Sequence, residues 1–239
     1  MGTVLEAQGL TKRFGGLLAV NNLSFSVDEG RVLGVVGPNG SGKTTTFNLL
    51  TGFIRPDFGK VIFENHEITN LKPHRIVRLG VARTFQLVRI FRGLSVYDNI
   101  RSAALLRAEG ALDRRIGEIL SVIGLVDKHG NEAGSLPIGD LKRLEIGRAL
   151  ATNPRLLLLD EPFSGLSHAE VNDIAALLRK LISQGLTVII VEHVLRELKR
   201  LAQQVLVLDF GKKIAEGNFD EVISQPIVRE AYLGGAAGA

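Results

Sequence analysis

Gly37-Pro38-Asn39-Gly40-Ser41-Gly42-Lys43-Thr44 fits G-x-x-x-x-G-K-[ST], the pattern of a loop that wraps a phosphate chain. Arg31 to Val36 ahead of it reads as a short buried strand. Lys43 to Leu50, through Thr44 and Thr45, reads as the opening of a helix. Between them, successive backbone N–H groups of a glycine-rich turn face inward onto an anion. Lys43 then reaches the β- and γ-phosphates of a nucleoside triphosphate, and the Thr44 hydroxyl ligates Mg²⁺. An ordinary glycine-rich turn also satisfies the bare pattern. The strand before it and the helix after it favour the phosphate cradle.

A second chemical segment is Leu156 to Leu159 followed by Asp160-Glu161-Pro162. An acid at the carboxyl end of a buried strand lies beside the phosphate loop of a neighbouring strand. Asp160 is expected to hold Mg²⁺, directly or through water, and Glu161 to polarise the water that attacks the γ-phosphate. Val188-Ile189-Ile190-Val191-Glu192-His193 repeats the device, so that His193 emerges from a buried strand end. It is placed to contact the γ-phosphate or to orient water and Glu161.

Alternating strands and helices must position these groups. Leu5 to Val27, with turn signals at Gly15-Gly16 and Asn21-Asn22, predicts an antiparallel β region. Thr51 to Gly59 reads as a loop, Lys60 to Phe63 as a strand, the stretch from Pro73 as helical, and Val81 to Phe85 as a strand. Ser95 to Leu125 is mostly helical by the spacing of Val96, Ile100, Ala104, Ile116, Leu120 and Ile123. Helices are expected over Leu141–Ala151 and Val171–Ile182, buried strands over Arg155–Leu159 and Leu186–Val191, and a hairpin around Asp209-Phe210-Gly211. This order implies an α/β fold with a mostly parallel core sheet and right-handed crossovers.

Composition narrows the class. The chain has 239 residues, 45% of them hydrophobic, and no cysteine, which excludes a disulfide framework or a thiolate metal site. The formal charge of +4 comes from scattered basic residues with no tract interleaved with aromatics, so nucleic-acid binding is not expected. Neither a run of eighteen apolar residues nor a signal-peptide core is seen, and a cytoplasmic protein is expected.

Together the phosphate loop 37–44, Gln86, the segment 136–140, Asp160-Glu161 and His193 resemble the ATP-binding-cassette (ABC) ATPases in order and spacing. The resemblance implies a P-loop NTPase fold with an N-terminal antiparallel β subdomain and an inserted helical subdomain. One ABC ATPase domain would span the chain: β region and phosphate-loop core over 1–86, helical subdomain over about 87–152, second half of the core over 153–233, and a flexible tail over 234–239. It also implies that Phe14 stacks on adenine, and that Gln86 meets Mg²⁺ or the attacking water. Leu136 and Gly139, in the signature segment, would contact the γ-phosphate of ATP held by an opposite subunit. That segment reads Leu136-Pro137-Ile138-Gly139-Asp140, where the common form has Ser second, Gly third and Gln last. A helix N-terminus that can accept an anion survives these changes, and Asp140 is placed to cap it. Ser164-Gly165-Leu166-Ser167 likewise lacks the usual closing Asp.

Gly80 to Phe91, Gly15 to Val20, Thr51-Gly52-Phe53, Arg143 to Arg148 and Arg229 to Gly234 resemble the ATP subunits of branched-chain amino-acid importers. Urea/amide importers and the lipopolysaccharide exporter ATPase share several of these strings, and a catalytically weak nucleotide-dependent switch is a further alternative. The resemblance implies ATP and Mg²⁺ as ligands and a second ATPase subunit facing the first head to tail. It also implies membrane permease subunits and, for an importer, a solute-binding protein, with this chain peripheral on the cytoplasmic side of the membrane. Phe85, Val88, Ile90, Phe91 and Leu94, rimmed by Arg89 and Arg92, would either dock a permease helix or pack the helical subdomain.

Overall fold

The structure is a computed structural model that describes residues 2–107 and 112–234. In chain order, β1 (Thr3–Phe14), β2 (Leu17–Asp28) and β3 (Val32–Val36) precede α1 (Lys43–Leu50), and β4 (Phe58–Phe63) and β5 (His66–Glu67) follow it. Next come α2 (Pro73–Leu79), β6 (Val81–Arg83), α3 (Val96–Ala104), α4 (Leu112–Ile123) and α5 (Ile138–Ala151). The chain continues through β7 (Leu156–Asp160), α6 (His168–Ser183), β8 (Thr187–Val191), α7 (Leu195–Lys199) and the hairpin of β9 (Gln204–Asp209) and β10 (Lys212–Asn218). It closes with α8 (Phe219–Ser224) and α9 (Pro226–Gly234).

Strict alternation along the buried strands explains the layering. Leu157 and Leu159 of β7, Val188 and Ile190 of β8, and Val205 and Val207 of β9 join one apolar cluster with α3 to α6. Their neighbours Leu156, Leu158, Ile189, Val191, Leu206 and Leu208 join a second cluster with α1 and the N-terminal strands. Because successive side chains leave a strand on opposite faces, a run of pure aliphatics here means a sheet covered on both sides. The resulting six-stranded sheet has the order β10-β9-β3-β8-β7-β6. It is parallel from β9 through β6, with β10 antiparallel at the edge. The second sheet, β2-β1-β4-β5, is antiparallel and four-stranded. The α/β class and the antiparallel N-terminal region are as expected, and α3 and α4 pack against α5 as a helical layer.

Several boundaries differ from the sequence reading. Asn21-Asn22 lies inside β2, where Asn22 takes a left-handed φ of 50° at a register shift, so it bends a strand instead of ending one. Phe58 and Gly59 belong to β4, and β6 stops at Arg83 because the chain turns there toward Gln86. Helix α5 begins at Ile138, since Pro137 provides the fixed φ of a helix entry. Ser167 and Glu170 form a capping box that starts α6 earlier than its apolar stripe does. Of the expectation of a helical stretch over 95–125, residues 108–111 lie outside the described residues; of the expected tail, only Gly234 is described, and it closes α9.

Candidate active site

The phosphate loop leaves β3 at Gly37 and enters α1 at Lys43. A Cβ on Gly37 would lie 2.1 Å from the Leu208 carbonyl oxygen, so the turn against β9 requires glycine. Gly42, the N-cap of α1, has φ 102° and offers no side-chain cap, leaving the first helical N–H groups to the loop's concave face. Lys43 is buried, and its Nζ donates to the carbonyls of Gly37 (2.8 Å) and Pro38 (2.9 Å), which aims the ammonium along the loop. Burial lowers the Lys43 pKa, while the carboxylates of Glu161 and Asp160 oppose that shift. From behind, Tyr232 of α9 meets the Gly37 backbone, and burial pushes its phenol up to about 12.

A cavity of about 380 Å³ opens over this loop. It is lined by Asn39, Gly40, Ser41, Gly42, Lys43, Thr44 and Thr45 of the loop and helix start, by Gln86, Glu161 and His193, and by Phe14. Gly37 and Pro38 do not line it. Phe14 is 49% exposed, which removes core packing as the account of this residue and leaves a face on which a base can stack.

Glu161 follows β7 in a left-handed conformation with φ 50°, unusual for a residue with a side chain. Its N–H is anchored by the Val191 carbonyl (2.9 Å). Its carboxylate is held on both oxygens. His193 Nε2 lies 2.8 Å from Oε1, and Gln86 Nε2 donates to Oε2 at 3.0 Å. Of the two positions expected for His193, the structure has the one against Glu161. Asp160, one residue earlier, is buried beneath the cavity and does not line it. Its Oδ2 accepts from Arg83 Nη2 (3.1 Å), whereas Oδ1 is buried with no partner among the described residues. Burial raises the Asp160 pKa, opposed chiefly by the Arg83 charge.

Sequence reasoning missed four groups here. Phe210, in the β9–β10 turn and 83% exposed, also lines the cavity. Arg83 donates to Asp160, to Asn48 Oδ1 (2.8 Å) and to Thr51 Oγ1 (3.1 Å), and stacks 4.5 Å from the Phe85 centroid. Glu192 is buried and accepts from the N–H groups of Phe163, His193 and Val194, which fixes the chain on which His193 is carried. Lys142 of α5 donates to the Glu161 carbonyl. Only the doubled acid of Val191-Glu192-His193, parallel to Asp160-Glu161, was a visible signal among these.

The signature segment lies apart from this chain's own cavity. Leu136 is a core residue, and Gly139 is buried at the start of α5. Asp140 pairs with Lys128 and caps nothing; Pro137 is the N-cap, and it supplies no side-chain bond. The end of α5 is not simply open, because Glu170 of α6 lies against it, so close that a Cβ on Gly139 would come within 2.5 Å of its Oε1, and the bonds from Ser167 lower the Glu170 pKa. On the opposite side of α5 a groove of about 360 Å³ is lined by Phe53, Phe85, Phe91, Leu106, Arg89 and Arg148, among others. Phe85 and Phe91 therefore face this groove, while Val88 and Ile90 pack against the core.

This constellation has counterparts. Residues 20–164 match the sequence profile of the ABC transporter family. The chain belongs to that family. Residues 212–238, from β10 onward, match a second profile described as branched-chain amino acid ATP-binding cassette transporter. The chain is 38% identical to the high-affinity branched-chain amino acid transport ATP-binding protein BraF of Pseudomonas aeruginosa, covering 98% of both chains. It is 34% identical to the corresponding protein LivG of Escherichia coli, again over 98% of each. A crystal structure of an ATP-binding cassette in its ADP conformation superposes with TM-score 0.89 at 33% identity, over 98% of this chain and 100% of that one. A dimeric cassette bound to ADP and phosphate superposes with TM-score 0.82 at 25% identity, over 90% and 98% respectively.

Proposed function

We propose that this ABC protein is the ATP-hydrolysing subunit of a transporter that imports branched-chain amino acids. The observation that carries hydrolysis is the Glu161 carboxylate, held by Gln86 and His193 at the rim of the phosphate-loop cavity. Adenine stacks on Phe14, the loop N–H groups and Lys43 wrap the triphosphate, and Glu161 takes a proton from the attacking water. The water oxygen bonds to the γ-phosphorus as the bond to the bridging oxygen of ADP breaks. Gln86 and His193 keep the base aimed and hold the water in line.

The oxygen donors here fit Mg²⁺. Asp160 Oδ1 is a buried acceptor without a partner, Thr44 offers an exposed hydroxyl, and Gln86 has its amide oxygen free. When bound, Mg²⁺ supplies neutralisation of the phosphate charge.

A second ATPase subunit, facing the first, places Leu136 to Gly139 near the partner's nucleotide; the dimeric cassette of the same fold supports this arrangement. The groove of Phe85, Phe91 and Leu106, edged by Arg89 and Arg148, suits an apolar permease helix with an acidic end. No helix of the described residues is long and apolar enough to cross a membrane. A permease docked in this groove would hold the subunit at the cytoplasmic face. The solute rests on the C-terminal profile and the named relatives, and a solute-binding protein would deliver it. The test is phosphate release by wild type and Glu161→Gln, alone and with the permease in vesicles, together with uptake of labelled leucine. Equal rates for the two proteins would overturn the assignment of Glu161; ATP-driven transport of another solute in place of leucine would overturn the substrate.

A further inference from the structure

We infer that Lys142 is a positioning residue for the general base, acting from the signature helix through the backbone of Glu161. The inference rests on the reading of Glu161 as base. Lys142 is 5% exposed, and its Nζ donates to the Glu161 carbonyl oxygen at 2.8 Å. Glu161 is the residue whose left-handed φ of 50° must be maintained for its carboxylate to reach Gln86 and His193. That conformation costs free energy in a residue with a Cβ and persists only where neighbours hold it. The N–H side is held by β8 through the Val191 carbonyl, and the C=O side is held by Lys142.

The same helix grips the other catalytic loop. Glu145, one turn after Lys142 and buried, accepts on Oε1 from the N–H groups of Phe85 (3.2 Å) and Arg89 (3.1 Å). These two residues flank Gln86. One rigid helix thus fixes the base of the loop that carries Gln86 and the carbonyl of the residue that carries the carboxylate. A rotation or shift of α5 moves both hydrogen-bond partners of that contact together. Lys142 does not line the nucleotide cavity, so its effect is on chemistry and not on binding. Its ammonium also feels the carboxylates of Glu145, Glu192, Glu161 and Asp160, whose attraction opposes the effect of its burial.

The experiment compares Lys142→Met, Lys142→Arg and Lys142→Met with Glu161→Gln, measuring kcat, KM and direct binding of a fluorescent ATP analogue. Loss of one anchor on a strained base is expected to lower kcat about 10- to 100-fold, the scale of a misplaced reacting group. Nucleotide affinity is expected to stay within about two-fold, since the phosphate-loop contacts are untouched. Lys142→Arg retains a donor to the carbonyl and is expected to recover most of the rate. In the Glu161→Gln background, Lys142→Met is expected to add no further loss, because a residue acting through the base has nothing left to act on. An undiminished kcat in Lys142→Met, a multiplicative loss in the double variant, or failure of both single variants to bind nucleotide would each overturn the inference. If Glu161→Gln itself hydrolyses ATP at the wild-type rate, the reading of the base fails instead, and the Lys142 comparison separates the two outcomes.

Discussion

Arg83→Met is the substitution by which the buried charge beneath the nucleotide cavity can be weighed. Arg83 and Asp160 are both almost fully buried, with side-chain exposures of 6% and 3%, and they meet at 3.1 Å. Removing the guanidinium leaves a buried carboxylate with no cation on Oδ2, while Oδ1 already has no partner. Breaking a buried pair from one side costs about 3–5 kcal/mol. For a chain of this size that corresponds to a fall in melting temperature of roughly 6–20 °C. Methionine keeps most of the apolar stem, so the loss reports the guanidinium: its charge, its bonds to Asn48 and Thr51, and its stacking on Phe47, Phe53 and Phe85.

The pH dependence distinguishes a charge effect from a packing effect. Burial raises the Asp160 pKa in the folded chain, and Arg83 opposes that rise. A carboxyl with a folded pKa above its unfolded value of about 3.9 takes up a proton on folding. Its contribution therefore falls as pH rises through that window. Without Arg83 the folded pKa goes higher and the window widens upward. The deficit of Arg83→Met, measured by equilibrium urea unfolding, is expected to be largest near neutral pH and to shrink toward about pH 4. Adding Asp160→Asn to Arg83→Met is expected to restore at least about 1 kcal/mol. A deficit that is independent of pH, or a double variant no more stable than Arg83→Met, would refute the reasoning.

Lys43→Ala is expected to abolish nucleotide binding measured by equilibrium titration, and wild-type affinity is expected to decline on the alkaline side earlier than an exposed lysine would allow, because burial lowers the ammonium's pKa. Phe14→Ala should weaken ATP binding by about 1–3 kcal/mol without a comparable loss of stability, since the ring is half exposed. Tyr232→Phe removes a buried hydroxyl from the Gly37 backbone and should cost about 0.5–1.5 kcal/mol in urea unfolding.

The two sheets and most of the cavity were legible because their signals are local. Aliphatic runs such as Leu156 to Leu159 declare a doubly covered strand, and the glycines at 37, 40 and 42 declare a turn of positive φ, with no room for a Cβ at 37 and 42. Gln86, Glu161 and His193 then converge because the parallel sheet brings the carboxyl ends of its strands to one edge, and Phe14 joins them from the end of β1 in the antiparallel sheet. What escaped was non-local. Arg83 reads as one of many scattered basic residues until β6 pairs with β7 and sets it against Asp160. Asp140 reads as a helix cap until Lys128 from the preceding loop takes its carboxylate. Phe210 looks like a turn residue until the hairpin folds it over the phosphate loop.

The missed residues share a physical character. Arg83, Lys142, Glu145 and Glu192 are ionisable groups with little access to water, the class whose burial is expensive unless hydrogen bonds compensate it. Hydrophobic periodicity assigns such residues to a solvated face, so the pattern that finds the core hides them. In the structure three of them are spent on loops: Glu145 on the base of the Gln86 loop, Lys142 on the carbonyl of Glu161, Glu192 on the N–H groups of Phe163, His193 and Val194. Loop backbone at a catalytic rim cannot draw its hydrogen bonds from a sheet or helix ladder, and buried side chains supply them instead. Substituting these groups therefore separates two costs. An apolar replacement relieves a desolvated charge but releases the loop it held, so the loss of rate should exceed the loss of stability at Lys142. At Arg83, whose partner remains charged and buried, stability should suffer first.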